Sequence, residues 1–195
     1  KVLHSIFGSL ITPTILLPRW WLEGIAVEME TRQSPYGRLR STSQDGMLRS
    51  YVDDEQLSKV SLAEINESTI PSWPGGARPY LFGSLMWSTM RSLRHEFPAT
   101  GHFTETNVVD ELHQRYGGRV PYAINGPAVD ALGFDYHGIF IQMLQDLTNR
   151  VEQQVTLLRE VAPTNSEPFS SSKPEVSQPV ISADGLRLAY LTKDE

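Results

Sequence analysis

The sequence predicts a mainly helical domain followed by a short β-hairpin, and three observations carry that prediction. Apolar residues recur at helical spacing over several stretches between Pro18 and Glu160. After Val161 the composition shifts to Pro, Ser, Glu and Gln with no periodicity, as in a linker. Further on, Leu186, Leu188 and Tyr190 alternate with Arg187 and Ala189 beside an Asp184-Gly185 turn signal. With 195 residues, the chain has room for one domain or for one domain plus part of another. A compact chain of this size buries roughly 70 % of its unfolded surface, so its core needs no staples.

The elements follow in order. Pro18 to Arg32 reads as a helix, because proline suits a first turn where its missing N–H costs nothing. Trp21, Leu22, Ile25, Ala26 and Met29 are expected to form its apolar face, with Glu23 and Glu30 on the flank. Gln33-Ser34-Pro35-Tyr36-Gly37 ends it with turn residues. Two short helices are expected around Met47–Val52 and Leu62–Ile65, the second opened by a Ser61/Glu64 capping box. Ser72-Trp73-Pro74-Gly75-Gly76 reads as a loop. From Pro79 a helix runs to about Phe97, burying Phe82, Leu85, Met86, Leu93 and Phe97. Gly83 inside it costs about 1 kcal/mol relative to Ala, which predicts a close approach by another backbone.

Further helices are predicted over Thr104–Tyr116, ended by Gly117-Gly118, and over Tyr122–Leu132. The longest runs from Tyr136 to about Glu160, with Phe140, Met143, Leu144, Leu147, Val151, Val155 and Leu158 in register. The expected organisation is a helical domain over residues 1–161, a linker over 162–176 and a hairpin over 177–195. A lone hairpin is marginally stable at best, so the hairpin reads as the start of a second, truncated domain.

Charge and composition narrow the function. Apolar residues make up 39 % and charged residues 21 %, which is a globular balance and not a disordered one. Seventeen basic against twenty-three acidic residues leave a net charge of −6, which argues against nucleic acid as a partner. The absence of cysteine excludes disulfides, thiolate zinc sites and cysteine nucleophiles. The apolar opening from Ser5 to Val27 is interrupted by Pro13, Pro18, Arg19 and Glu23, so no transmembrane helix is expected there. It also lacks the order of features that makes a signal peptide. Because the first residue is Lys1, the chain reads as processed or as an excerpt of a longer protein.

Few residues offer chemistry by spacing alone. The histidines at 4, 95, 102, 113 and 137 form no i, i+4 pair, so no helix presents two imidazoles to a metal. His95-Glu96 imitates the start of a zinc helix, but Pro98 and Ala99 end the likeness. No nucleophile elbow, phosphate loop or dinucleotide fingerprint occurs. Glu23 and Glu30 lie about 10–11 Å apart along a helix, too far to share a proton. Arg19, four residues before Glu23, offers that carboxylate a surface ion pair.

The segment Leu17-Pro18-Arg19-Trp20-Trp21-Leu22-Glu23-Gly24-Ile25-Ala26-Val27 resembles the Glu-Gly helix of gluzincin zinc metallopeptidases, particularly the bacterial peptidase-MA-like group. The likeness continues through Gly37-Arg38-Leu39-Arg40-Ser41, Trp73-Pro74-Gly75-Gly76, Pro79-Tyr80-Leu81-Phe82-Gly83-Ser84 and Arg115-Tyr116-Gly117-Gly118-Arg119-Val120-Pro121-Tyr122. These segments span most of residues 5 to 160 in the family's order. The final segment from Ser177 to Tyr190 looks like the opening repeat of a TolB-like, WD40-like β-propeller.

The resemblance implies the helical C-terminal subdomain of a zinc metallopeptidase, with Glu23 as third zinc ligand and a peptide or protein as substrate. It carries Tyr80 over as a donor to the developing oxyanion, whereas the residues alone suggest packing at a helix start. The family's His-Glu-x-x-His helix is absent from the sequence and is expected before Lys1, so this chain alone should be inactive. The expected partners within the same protein are that N-terminal zinc-binding half and a C-terminal propeller. Such proteins are usually exported, which implies a periplasmic or cell-envelope location in a bacterium. The alternatives are a non-catalytic, peptidase-like scaffold at the cell envelope, or a plain helical interaction domain.

Overall fold

The computed structural model describes residues 17–67, 75–96, 107–117, 123–162, 165 and 176–192. Six α-helices and one antiparallel hairpin lie among them. The chain divides into two compact units, Lys1–Glu160 and Val161–Glu195. No helix among the described residues is long and apolar enough to cross a membrane.

Helix α1, Arg19–Gln33, begins directly after Pro18, whose carbonyl accepts from the N–H groups of Trp21 and Leu22. The proline ring carries no acceptor to cap the helix, and the cap comes instead from Asn66, whose Oδ1 accepts the Arg19 N–H at 2.6 Å. Helix α2, Thr42–Asp53, starts earlier than the periodicity suggested, because Ser41 Oγ caps the Ser43 N–H at 3.2 Å. The Ser61/Glu64 box is present, with Ser61 N–H donating to Glu64 at 2.9 Å and Glu64 N–H donating to Ser61 Oγ at 3.2 Å. It opens a 3₁₀ turn, Glu64–Asn66, and not an α-helix. Helix α3 spans Arg78–Glu96. Residues 68–74 and Phe97 lie outside the described part, so the loop and the far end of that helix are described only from Gly75 to Glu96.

Helix α4, Val108–Tyr116, opens on Asn107, whose Oδ1 caps the N–H groups of Val109 and Asp110 at 2.9 and 3.2 Å; the expected start at Thr104 and the stop at Gly118 lie outside the described residues. Helix α5, Asn125–Leu132, starts late, with Ala123 and Ile124 in irregular structure. Helix α6, Tyr136–Glu160, has the predicted bounds. Leu158 is exposed, however, because the last turn of α6 runs beyond Val155, which still packs against the core cluster.

The main correction concerns the face of α1. The buried residues are Trp20, Trp21, Gly24, Val27, Glu28 and Thr31, while Ala26 and Met29 face solvent. Hydropathy misplaced the face because two polar residues and a glycine sit in its centre. Gly24 and Gly83 bring the backbones of α1 and α3 together. A Cβ on Gly83 would stand 3.0 Å from the Gly24 Cα and overlap the Trp20 carbonyl, and one on Gly24 would stand 2.6 Å from the Gly83 Cα. The close approach that a mid-helix glycine implied is therefore present. Thr31 satisfies its hydroxyl on the Val27 carbonyl at 2.8 Å. Buried Glu28 is held by Arg91 at 2.8 Å and by Arg32 at 3.0 Å.

A second buried carboxylate, Glu111 of α4, is clamped between Arg94 of α3 and Arg115, the latter at 2.8 Å. Arg94 also donates to the Ala131 carbonyl of α5 at 2.9 Å, so one cation ties three helices. A buried carboxylate is tolerated only when paired and hydrogen-bonded in this way. Desolvation pushes the Arg94 guanidinium below its usual range, with Arg115 adding to the effect.

The second unit holds β1, Val176–Ile181, antiparallel to β2, Leu188–Thr192. The register pairs Ser177 with Leu191 and Ile181 with Leu188, and it shifts at the bulge between Ser177 and Val180, which contains Pro179. The connection is longer than a two-residue Asp-Gly turn. Ser182 N–H bonds the Arg187 carbonyl, and only Gly185 takes a positive φ, of 74°. Asp184 instead accepts the Leu186 N–H at 3.0 Å, an Asx-type turn that keeps its own φ negative.

Candidate functional site

Glu23 lies on the second turn of α1, immediately before the glycine of the backbone contact. Its side chain is 30 % exposed, and Arg19 Nη2 stands 3.9 Å from Oε1. That distance is too long for a hydrogen bond, so the pair is worth a few tenths of a kcal/mol and leaves the carboxylate available.

The tryptophans beside it are structural. Trp21 Nε1 donates to the Tyr136 hydroxyl at 3.0 Å, and Trp87 Nε1 donates to the Trp21 carbonyl at 2.9 Å. Trp20 meets the Tyr136 ring edge to face at 5.2 Å, and Trp21 meets Trp87 similarly at 5.0 Å. Burial pushes the Tyr136 hydroxyl up to about 12, opposed by the Trp21 hydrogen bond. This part of α1 is therefore anchored on one side by rings and on the other by the glycine contact.

Tyr80, half-buried in the first turn of α3, carries the Arg38 guanidinium over its ring at 5.3 Å from the centroid. Glu30 holds that arginine, with Oε2 at 2.9 Å from both Nε and Nη2. Glu23 and Tyr80 are thus engaged by different arginines. Sequence spacing did not reveal the Glu30–Arg38–Tyr80 chain, because its members lie on three separate segments.

Among the described residues the histidines form no metal-holding group with Glu23. His95, His113 and His137 are exposed, and His4 and His102 lie outside the described residues. The His113 ring packs edge to face on Trp21 at 5.0 Å, and its Nδ1 lies 2.7 Å from the Val109 carbonyl. Among the described residues no group of three His, Cys, Asp or Glu side chains is placed to hold a metal ion.

A polar cavity of about 180 Å³ opens elsewhere, between the end of α2 and the start of α3. Tyr51 and Arg78 line it, 4 % and 8 % exposed, together with Asp54, Lys59 and Glu64. The Tyr51 ring rests edge-on against Phe82 at 5.4 Å. Desolvation raises the Tyr51 hydroxyl above its usual range, and the charge and hydrogen bond of Arg78 oppose that shift. The only sequence signal for this cavity was an arginine between Ala77 and a helix-starting proline.

Comparison of the chain with models of known protein families, with curated proteins and with solved structures finds no match.

Proposed function

We propose that this chain is the helical part of a zinc-dependent peptidase of the gluzincin, peptidase-MA-like kind, with Glu23 as one of three metal ligands. The observation that carries the reading is the setting of Glu23. It is an available carboxylate beside the place where the backbones of α1 and α3 touch. A carboxylate suits zinc as one donor of a mixed set, and on that chemistry Glu23 fits. The two imidazoles and the general-base carboxylate are drawn, on this reading, from residues outside the described ones.

Zinc, when bound, supplies Lewis acidity and a water of lowered pKa. The chain's own residues prepare the place for it. Glu23 presents its carboxylate from a helix that cannot rotate without breaking the Gly24–Gly83 contact. Trp20 and Trp21 keep water from the base of that helix. Tyr80 is read as a hydrogen-bond donor to the negative charge that develops on a peptide carbonyl oxygen, with Arg38 fixing its ring. The C-terminal hairpin is read as the opening of a TolB-like propeller, and the whole protein as exported to the periplasm or cell envelope.

The test compares zinc content and peptide cleavage in a protein that carries this chain with the residues preceding it, as parent and as Glu23→Gln. Glu23→Gln keeps the side-chain volume and removes the charge. The reading predicts one zinc per parent chain, with metal and cleavage both collapsing in the variant. Arg19→Gln should leave both intact. Full zinc and full cleavage in Glu23→Gln would contradict the assignment, and a parent without zinc would turn the reading to a non-catalytic scaffold.

A further inference from the structure

We propose that the cavity between α2 and α3 is a binding site for a small amino acid, separate from and independent of the zinc reading. Its floor is built of two polar side chains, both more than nine-tenths buried. The Arg78 guanidinium hydrogen-bonds the Tyr51 hydroxyl there, and the pair comes from helices joined by a long connection. A sheltered guanidinium and phenol are suited to a carboxylate, because both can donate to it where water screens poorly. Arg78 is also the first residue of a 19-residue helix, whose N-terminal end adds positive potential on the same side.

The walls decide against a bare anion. Asp54 and Glu64 stand on them with Lys59, so two cations and two anions line one small space. The Glu64 carboxylate is turned to Ser61, whose N–H and hydroxyl bond it at 2.9 and 3.1 Å. Asp54 is exposed at the end of α2, lines the cavity, and makes its cap bond through the backbone and not the carboxylate. The Glu64 charge also acts on the Tyr51 hydroxyl, against Arg78, so the lining carries both signs and is neutral overall, which is complementary to a ligand of the same character. In an amino acid the carboxylate would lie toward Arg78 and Tyr51 and the ammonium toward Asp54. The volume sets the size. About 180 Å³ is below the 300–1,000 Å³ of pockets for drug-sized ligands, which leaves room for a small molecule only.

The experiment is an amide chemical-shift titration of the isotope-labelled chain with glycine, acetate and methylammonium at matched ionic strength. Glycine should shift the amides of residues 50–64 and of Arg78 saturably, with a dissociation constant of about 1 mM. Acetate and methylammonium should each bind at least roughly tenfold more weakly. Tyr51→Phe, which keeps the ring on Phe82, and Asp54→Asn, at an exposed position, should each weaken glycine by roughly tenfold. If Tyr51→Phe loses its folded spectrum, Asp54→Asn alone decides. The proposal is overturned if glycine gives no saturable shift, if acetate matches it, or if Asp54→Asn binds it unchanged.

Discussion

In the helix pair α1–α3, Trp21, Phe82, Met86 and Trp87 are almost wholly buried, whereas in the C-terminal hairpin Val180, Ile181 and Leu191 are 64 %, 66 % and 58 % exposed. The two regions do not differ much in how apolar their side chains are. They differ in what stands opposite. Each helix of the pair has another helix within backbone contact, while a two-stranded sheet has no layer of its own to cover either face. Burial is thus set by the partner surface, and the same residue types should carry very different energies in the two places.

The largest expected effect comes from breaking the helix pair. Gly83→Ala gains about 1 kcal/mol of helix propensity but drives a methyl group into the Trp20 carbonyl, and neither backbone can yield cheaply. The clash should win, with a loss of about 5 kcal/mol or more measured by denaturant unfolding. Glu111→Ala comes next. It takes the buried carboxylate away from Arg94 and the half-buried Arg115 and should cost about 3 kcal/mol in the same measurement.

Alkali probes the aromatic anchor. The Tyr136 hydroxyl titrates near 12 in the folded chain and near 10 when unfolded, because burial disfavours the phenolate. Its stabilisation is therefore complete below pH 10 and lost as pH rises toward 12, by about 3 kcal/mol in all. Tyr136→Phe should show a shallower loss of stability over that interval, read from unfolding midpoints at stepped pH. The smallest effect belongs to the hairpin. Ile181→Ser and Leu191→Ser alter exposed side chains and should move the helical unit's unfolding by no more than about 0.5 kcal/mol.

The same contrast explains how much was legible in the sequence. Helix α6 was readable to the residue because its core face is continuous, from Phe140 through Val151. The mid-helix glycine announced a backbone contact, though not that Gly24 was the other party. The face of α1 was misread, since Glu28 and Thr31 are buried by partners that hydropathy does not see, Arg91 in one case and the Val27 carbonyl in the other. The Asn66 cap on α1 was invisible for a similar reason, being 47 residues away. Glu23 was singled out by resemblance, and the fold gave it a setting that spacing could not: an available carboxylate next to the backbone contact of α1 and α3.

On the proposed reading that setting separates a residue kept for chemistry from one kept for folding, and the separation can be measured directly. Unfolding free energies of Glu23→Gln and Gly83→Ala, compared side by side in this chain, test it. The account predicts that Glu23→Gln stays within about 0.5 kcal/mol of the parent. Its neighbour's contact partner, Gly83→Ala, should lose most of the stability. A loss of several kcal/mol in Glu23→Gln would contradict the account, because it would make Glu23 part of what holds the helices together and not the available carboxylate that the proposed reading requires.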